Sequence, residues 1–374
     1  MNTSLSRQLT EELIGKETTS RHHLDSLLEV SRAIGAILDT HSLMRTIMAT
    51  VTDAFGADRS TLFIHDAPRG QLWSRVAQGL EQGIELRISE TQGIAGTVFQ
   101  MRESLRIDDT HMHPLFARNV AKATGYEPRS MLVVPVLHRP GNLGGVLQVM
   151  DRRVAFFTDA DRVLLEAIAV QVGISLDNAR LYEAQERQFK SFVRAFSEAL
   201  DARDPLTQLH SANVANYASG IAHYLGLPPS QQEWLRIAGL LHDVGKIGTP
   251  EAILTKPGKL SDEEFAEMKK HAGHSRRILE KIEFTKKYEG LPFIAAAHHE
   301  KLDGTGYPDR LKGDEVPLLA RVLCVADIFD ALTQKRHYRE AMSLDEAFGL
   351  LDHMVPEQLD TECVKALKKF MGCA

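Results

Sequence analysis

Hydrophobic positions change their period near the middle of the chain. Between residues 22 and 55 two helical patterns follow each other, and after them apolar and polar residues alternate in short runs, as in half-buried strands. From residue 192 onward the alternation disappears and apolar residues recur at steps of three and four. The sequence therefore predicts an α+β unit followed by an all-α unit.

The first half predicts one sheet with flanking helices. The predicted strands cover residues 60–65, 71–76, 84–88, 105–107, 131–137 and 144–150. A short helix is predicted over 93–99, and a long loop that contains a helix over 108–129. This order of elements is typical of an α+β sandwich.

One long helical pattern covers residues 159–201. Six positions recur along it at alternating steps of four and three: Leu165, Ile168, Val172, Ser175, Ala179 and Tyr182. Because this spacing forms a seam for a partner helix, we expect a parallel dimer stalk that joins the two halves. The alternative is that the same face packs on the sheet of its own domain.

The second half predicts helices alone. They cover residues 192–202, 212–225, 233–247, 262–282, 291–300, 318–333 and 344–353. Ser261 with Glu264, and Ser343 with Glu346, have the spacing of capping boxes.

Composition argues against several classes of protein, namely nucleic-acid-binding, disulfide-rich and membrane-spanning proteins. The 374 residues are enough for two domains, and the net charge of −6 argues against general nucleic-acid binding. The three cysteines form no CxxC pair, which argues against a disulfide framework. We find no pattern of a signal peptide or a membrane span, so we expect a cytoplasmic protein.

Histidines and aspartates interrupt the apolar runs of five helical segments. These residues are His210, His242, Asp243, His271, His298, His299 and Asp327. An ionised carboxylate in an apolar setting costs free energy unless it is paired, hydrogen-bonded or bound to a metal. Each residue alone could be a buried side chain that the neighbouring backbone satisfies, but their recurrence favours a metal site.

Nitrogen and carboxylate ligands without thiolate suit iron, manganese or zinc. His298 and His299 point about 100° apart on a helix, so they can serve two different ions, which Asp243 could bridge. Two ions about 3.5–4 Å apart hold a hydroxide at neutral pH and clamp an in-line attack on phosphorus.

Residues 22–180 resemble a GAF domain. The most specific matches are Gly93–Gly96, Ile107–Asp109, Gly125–Tyr126, Ser130–Pro135 and Gly145–Gln148. The resemblance is strongest to GAF domains that bind cyclic nucleotides, but only Phe157 and Asp161 match the motif typical of those domains. Two interpretations stay open: a domain with a small-molecule ligand of unknown identity, and a dimerising or structural module.

Residues 190–370 resemble the HD-GYP family of phosphodiesterases. The matching motifs are His242-Asp243 with Gly245-Lys246, residues 254–260, His298-His-Glu300, Asp303-Gly304, Gly306-Tyr-Pro308, Ala326-Asp327, residues 330–333, and Arg336 with Tyr338 and Arg339. The resemblance implies hydrolysis of cyclic di-GMP, a bacterial second messenger, to the linear dinucleotide pGpG and often on to GMP.

The resemblance also implies roles for individual residues. The seven histidines and aspartates would hold two divalent metal ions, iron or manganese, with Asp243 bridging. Asp243 and Lys246 would be catalytic. The substrate contacts would be Asp204, Lys246, Gly306, Tyr307 and Arg336. Some members hold a third metal with a glutamate where this chain has Leu206, so we expect two ions.

These inferences predict four regions: an N-terminal segment over 1–21, a GAF sensor domain over 22–158, a connecting signalling helix over 159–191 and an HD-GYP domain over 192–374. The leading hypothesis is a homodimeric, GAF-regulated cyclic di-GMP phosphodiesterase that uses a metal-bridging hydroxide. Two alternatives stay open: hydrolysis of another cyclic or simple nucleotide, and a non-catalytic effector that binds cyclic di-GMP.

Overall fold

The chain divides into two compact units, residues 1–186 and 187–374. The structure, a computed structural model, describes residues 23–74, 85–138, 143–152, 156–203, 209–334 and 340–373. Among these residues, no helix combines the length and the apolar character needed to cross a bilayer.

The first unit contains a six-stranded antiparallel sheet with strand order β3-β2-β1-β6-β5-β4. Its strands are β1 (Ala57–Asp66), β2 (Gln71–Ser74), β3 (Leu86–Ser89), β4 (Leu105–Ile107), β5 (Met131–Leu137) and β6 (Leu143–Arg152). Its helices are α1 (residues 23–35), α2 (Thr40–Phe55), α3 (Gly93–Met101) and α4 (Arg118–Thr124), followed by the start of α5 (Asp159–Asp201). The predicted α+β class is confirmed, including the helix inside the long loop.

The sheet has a core on each face because successive side chains of a strand point to opposite sides. On one face, Leu62 and Ile64 pack with residues of α1, α2 and α5. On the other face, Phe63 packs with Ile94 and Val98 of α3. The side chains of β1 thus contribute to both cores.

The predicted dimer seam on α5 is wrong. Leu165, Ile168, Val172 and Ala179 are fully buried in the core of the first unit, and Ser175 is 8% exposed. The helix uses this face to cover its own sheet, because burial of large apolar side chains against an available apolar sheet face is strongly favourable. The alternative that the sequence left open is therefore the observed one.

Helices make up the regular structure of the second unit. They are the end of α5, α6 (His210–Tyr224), α7 (Pro229–Leu241), α8 (Glu251–Leu254), α9 (Asp262–Leu279), α10 (Leu291–Ala296), α11 (Leu318–Thr333), α12 (Leu344–Met354) and α13 (Thr361–Phe370). Both predicted capping boxes, at the starts of α9 and α12, are confirmed. α13, whose start is capped by the Asp360 carboxylate, lies outside the helices predicted from the sequence.

The predicted helix over 233–247 is not continuous. α7 ends at Leu241, and a 3₁₀ turn follows over Val244–Gly248. At Gly245 a Cβ atom would lie 2.0 Å from the carbonyl oxygen of His271, so the chain approaches α9 at a distance that only glycine permits. The Gly245 N–H donates to Ser275 Oγ at 2.8 Å instead of continuing the helix. His242 and Asp243 consequently lie at the break.

Candidate metal centre

The seven histidines and aspartates singled out from the sequence lie together in the second unit. They come from five places: the first residue of α6, the break after α7, the middle of α9, the 3₁₀ turn after α10 (Ala297–His299) and α11. Their ligand atoms form two groups, each within a span of 4.8 Å: His210, His242 and Asp327 in one, and Asp243, His271, His298 and His299 in the other.

Asp243 lies between the two groups. Its Oδ2 faces the first group, at 3.5 Å from His210 Nε2 and 3.4 Å from His242 Nε2. Its Oδ1 faces the second group, at 3.2 Å from His271 Nε2 and 3.7 Å from His298 Nε2. One carboxylate thus presents one oxygen to each group, which is the arrangement a bridging ligand needs.

Asp327 also touches both groups. Its Oδ1 lies 3.3 Å from His210 Nε2, and its Oδ2 lies 3.6 Å from His299 Nδ1. Asp327 lies on α11, most of whose buried residues are apolar, and it is only 8% exposed.

Backbone carbonyls fix the orientation of three imidazoles. The Nδ1 atoms of His242, His271 and His298 lie 2.7, 2.7 and 2.5 Å from the carbonyl oxygens of Gly239, Met268 and Ala295. A carbonyl can only accept, so each Nδ1 carries the proton and each Nε2 keeps a lone pair that faces the centre. This tautomer is the one that a metal-ligating histidine requires.

Within the described residues, three of these lone pairs have no hydrogen-bond partner. They belong to the Nε2 atoms of His242, His271 and His298, and the buried Asp243 Oδ1 likewise has no such partner there. Leaving a buried polar atom unpaired costs about 1–3 kcal/mol, so one such atom in the first ligand group and three in the second require an explanation. A cation provides it, and the donor set of imidazole nitrogens and carboxylate oxygens suits iron, manganese or zinc.

The electrostatics keep two histidines and two aspartates of the cluster in their ligating forms. Burial, together with neighbouring histidines, holds the pKa of His298 well below its usual value, and burial lowers the pKa of His299 to about 3. Burial alone would raise the pKa of Asp243 and Asp327, but the surrounding basic groups hold both well below the usual range. At neutral pH the two carboxylates are therefore charged, and these two imidazoles are neutral.

His210 differs from the other histidines because three carboxylates surround it. Burial opposes charge on this ring, but hydrogen bonds to Asp243, Asp327 and Asp330 raise its pKa well above the usual value. The Nδ1 atom lies 2.6 Å from Asp330 Oδ2, and Asp330 is fully buried. Asp330 thus orients this imidazole as the carbonyls orient the others.

The sequence-predicted substrate residues have different positions. The Lys246 ammonium contacts the Asp243 carboxylate directly. The Tyr307 ring lies 4.6 Å from that of His299, and burial together with Asp327 and Asp243 raises its pKa. Gly306 packs against backbone, since a Cβ there would lie 2.5 Å from Glu300 Cα. Asp204, Leu206 and Arg336 lie outside the described residues.

Sequence reasoning missed the roles of two acidic residues. Asp330 orients His210, as described above. The Glu300 side chain is buried and accepts hydrogen bonds from the backbone N–H groups of Asp309, Arg310 and Leu311, at 2.7, 3.1 and 3.0 Å. It thereby fixes the loop that carries Tyr307. The sequence did contain a hint of both roles, because Glu300 ends the motif His298-His-Glu300 and Asp330 begins the motif over residues 330–333.

Comparison with known proteins agrees with this geometry. The family model described as GAF domain matches residues 39–176, and the model described as HD domain matches residues 194–363.

Three curated relatives are similar over long segments. A 3'3'-cGAMP-specific phosphodiesterase 3 of Vibrio cholerae is 37% identical over 276 residues, which are 74% of this chain and 54% of the relative. The cyclic di-GMP phosphodiesterase response regulator RpfG of Xanthomonas campestris is 37% identical over 189 residues, half of each chain. A cyclic di-GMP phosphodiesterase of Vibrio cholerae is 32% identical over 280 residues, 70% of this chain and 54% of the relative.

The chain thus spans about half the length of these three relatives. The two matched domains follow each other in the order in which the structure has the sheet unit and the helical unit. The sequence motifs, the converging histidines and aspartates and the matched relatives agree with one another. The chain carries a GAF domain followed by an HD domain, and the motifs of its HD domain resemble those of the HD-GYP family.

Proposed function

We propose that this protein is a metal-dependent phosphodiesterase that hydrolyses cyclic di-GMP to pGpG, and further to GMP. The observation that carries the proposal is the pair of ligand groups joined by the two oxygens of Asp243. Relatives named as cyclic di-GMP phosphodiesterases support the substrate class. In this proposal the GAF sensor covers residues 22–158, the connecting helix 159–191 and the HD-GYP domain 192–374.

Seven residues would hold two divalent ions, iron or manganese. His210, His242 and Asp327 would hold one and His271, His298 and His299 the other, with Asp243 shared. Such ions supply Lewis-acid charge, lower the pKa of a bound water and orient a phosphodiester for in-line attack.

The residues of the chain then have distinct tasks. Asp243 balances cationic charge with one carboxylate, and the neutral imidazoles keep their lone pairs directed inward. Lys246 brings a positive charge to the rim of the cluster, where a small cavity is lined by His210, Asp243 and Arg203. A fixed ammonium there stabilises negative charge that develops on a phosphoryl group. Tyr307, held over His299, would orient the substrate, and Asp204 and Arg336 would complete the nucleotide site.

The experiment is a turnover assay on the full chain. Protein loaded with Mn²⁺, and separately with Fe²⁺ under reducing conditions, is incubated with cyclic di-GMP, and the products are separated by chromatography. We expect pGpG and then GMP. Tight binding of cyclic di-GMP without product would instead identify a non-catalytic effector. Metal content measured on the same samples distinguishes an inactive protein from an unloaded one.

A second candidate substrate is 3'3'-cGAMP. The observation that favours it is the higher identity to the cGAMP-specific enzyme, 37% over 276 residues, against 32% over 280 residues for the cyclic di-GMP phosphodiesterase of the same organism. Parallel assays at equal concentrations of the two cyclic dinucleotides compare kcat/KM directly. A higher value for 3'3'-cGAMP would replace cyclic di-GMP in the proposal without changing the metal chemistry.

We also propose a homodimer through α5. Four exposed apolar residues recur on this helix at steps of seven, four and seven: Val163, Val170, Ile174 and Leu181, which are 46–57% exposed. This stripe lies beside the face that the sheet covers, and its spacing is that of a coiled-coil seam. Light scattering at micromolar concentration tests it. A monomer, or a dimer that Ile174→Asp leaves intact, contradicts this interface.

A further inference from the structure

The GAF domain contains a cavity of about 90 Å³ on the sheet face opposite α5. Its walls are mainly apolar, and six of the residues that form them are Phe63, Ile88, Ile94, Phe116, Met131 and Met150. This volume is several times the roughly 10–15 Å³ that a cavity needs to admit a single water molecule. The cavity thus has the size and walls for the body of a small organic molecule.

Three polar side chains lie together on the sheet side of this cavity. Arg59 and Thr61 are two residues apart on β1, and Gln148 is the direct cross-strand partner of Thr61 on β6. Side chains two apart on a strand share a face, so the register places all three side by side. Thr61 and Gln148 are 4% and 8% exposed.

These polar groups have few partners among the described residues. Thr61 makes no side-chain hydrogen bond there, and the Gln148 amide reaches only the Met150 sulfur, at 3.7 Å. Arg59 has no carboxylate within ion-pair distance in the same part of the chain; its guanidinium stacks on the Tyr126 ring at 3.9 Å. Other arginines of this domain do have one: Arg69 and Arg87 pair with Asp66, and Arg152 pairs with Asp161.

The Tyr126 ring covers the Arg59 guanidinium, whose N–H groups make no ion pair with a carboxylate of the described residues. A stacked guanidinium presents a rigid fork of N–H donors that matches a carboxylate in two parallel hydrogen bonds. The Gln148 amide and the Thr61 hydroxyl add a donor each. The apolar walls can take an aromatic or alkyl body.

We propose that the GAF cavity binds a small amphipathic carboxylate, with its anionic end on Arg59, Thr61 and Gln148 and its apolar end against Phe63 and Phe116. An arylacetate is a molecule of this kind. This site shares no residue with the metal centre of the HD domain, so the binding proposal can be tested separately from the proposed phosphodiesterase activity.

The test uses the two methionines of the cavity as reporters. The full chain is labelled with ¹³C at its methionine methyl groups, and the Met131 and Met150 signals are assigned with the Leu variants of each. Phenylacetate is titrated in, with phenylacetamide as the uncharged probe of equal shape. We expect phenylacetate to shift both signals saturably and phenylacetamide to bind at least about tenfold more weakly, a ratio equivalent to about 1.4 kcal/mol.

Arg59→Met is the decisive variant, and Arg69→Met is its matched control, because Arg69 lies on the surface of the same domain. We expect Arg59→Met to weaken phenylacetate binding at least about tenfold and Arg69→Met to leave it unchanged. Should Arg59→Met fail to fold, Gln148→Leu keeps the test decisive, with an expected weakening in the same direction.

Three results would overturn the proposal. The first is equal binding of phenylacetate and phenylacetamide, which would make this an apolar site without anion recognition. The second is the absence of shifts at Met131 and Met150 with phenylacetate, hexanoate and indole-3-acetate alike. The third is that cyclic GMP or cyclic AMP shifts both signals while the three carboxylates do not, which would assign the cavity to a nucleotide. Turnover of cyclic di-GMP enters none of these readouts.

Discussion

The metal centre of the HD domain and the cavity of the GAF domain are built in different ways. The cavity takes its three polar groups from adjacent positions of one strand pair, where register alone makes them neighbours. The metal centre gathers its seven residues from five separate places, each at a helix start, a helix end or a helix interior. A sheet brings neighbours together locally, whereas a helical domain does so only after its core has formed.

The two sites also differ in the kind of polar atom that lacks a partner and in the surroundings of that atom. In the described part of the HD domain, four ligand atoms are buried without a hydrogen-bond partner, one in the first ligand group and three in the second, a pattern that bound cations resolve. In the GAF cavity, one guanidinium, one hydroxyl and one amide border an apolar wall, which suits an organic anion. Four experiments test whether the two sites differ in this way.

The largest effect is expected from the carboxylate between the two ligand groups. Asp243→Ala should lower turnover by about three orders of magnitude, because it removes several kcal/mol of charge stabilisation and each 1.36 kcal/mol is tenfold in rate. Initial rates with cyclic di-GMP measure it. Asp309→Ala is the matched control, since Asp309 is partly exposed and pairs with Arg276. Turnover retained by Asp243→Ala would end the proposed mechanism.

Metal addition should stabilise one domain selectively. Mn²⁺ at about 100 times its Kd should raise the free energy of unfolding by about 2.7 kcal/mol, because binding favours the folded state by mass action. Amide hydrogen exchange in α9 and α11, compared with β1 and β6, gives the measurement and its internal control. Equal protection of the sheet and the helices would mean that the cation does not act at the cluster.

Asp330→Asn should weaken metal binding about 10- to 100-fold, the usual cost of altering a group that orients a ligating histidine. The physical reason is that Asp330 Oδ2 holds His210 Nδ1 at 2.6 Å. Competition with a chelator measures the affinity, and Asp314→Asn, at a fully exposed position, is the control. Unchanged affinity in a folded Asp330→Asn protein would contradict an orienting role.

The smallest effect is expected in the GAF cavity. Thr61→Val should change the free energy of unfolding by about 0.5 kcal/mol or less, because the lost hydroxyl has no partner among the described residues. Ser60→Ala, one residue away on the opposite face, should cost about 1–3 kcal/mol, since Ser60 Oγ bonds to Met48 O and Thr52 Oγ1. Denaturant unfolding compares the two, and equal losses would show that Thr61 has a structural role.

Local pattern was sufficient for much of this molecule. Alternation and helical periodicity predicted all six strands and most helices, since both follow from which side chains face a core. The seven cluster residues could be named because charged groups stand out inside apolar runs. The Ser261 and Ser343 caps were predictable for the same reason: each depends on contacts within one turn.

Long-range contacts decided the rest. The sequence did not show whether the Leu165–Ala179 face of α5 packs on a sheet or on a second helix, because both kinds of packing require apolar residues at the same spacing. It could not locate the end of α7, which depends on the approach of Gly245 to α9. Glu300 accepts hydrogen bonds from backbone groups 9 to 11 residues further along the chain, and Asp330 contacts His210, 120 residues earlier. Neither role follows from the neighbouring residues in the sequence.

Residue type and local spacing were thus enough to predict the two fold classes and the chemistry of the ligands. They were not enough to predict that one oxygen of Asp243 faces each ligand group, or that Arg59, Thr61 and Gln148 border one cavity. Contacts between side chains at this scale depend on how whole helices and strands pack, and packing arises only in the folded chain.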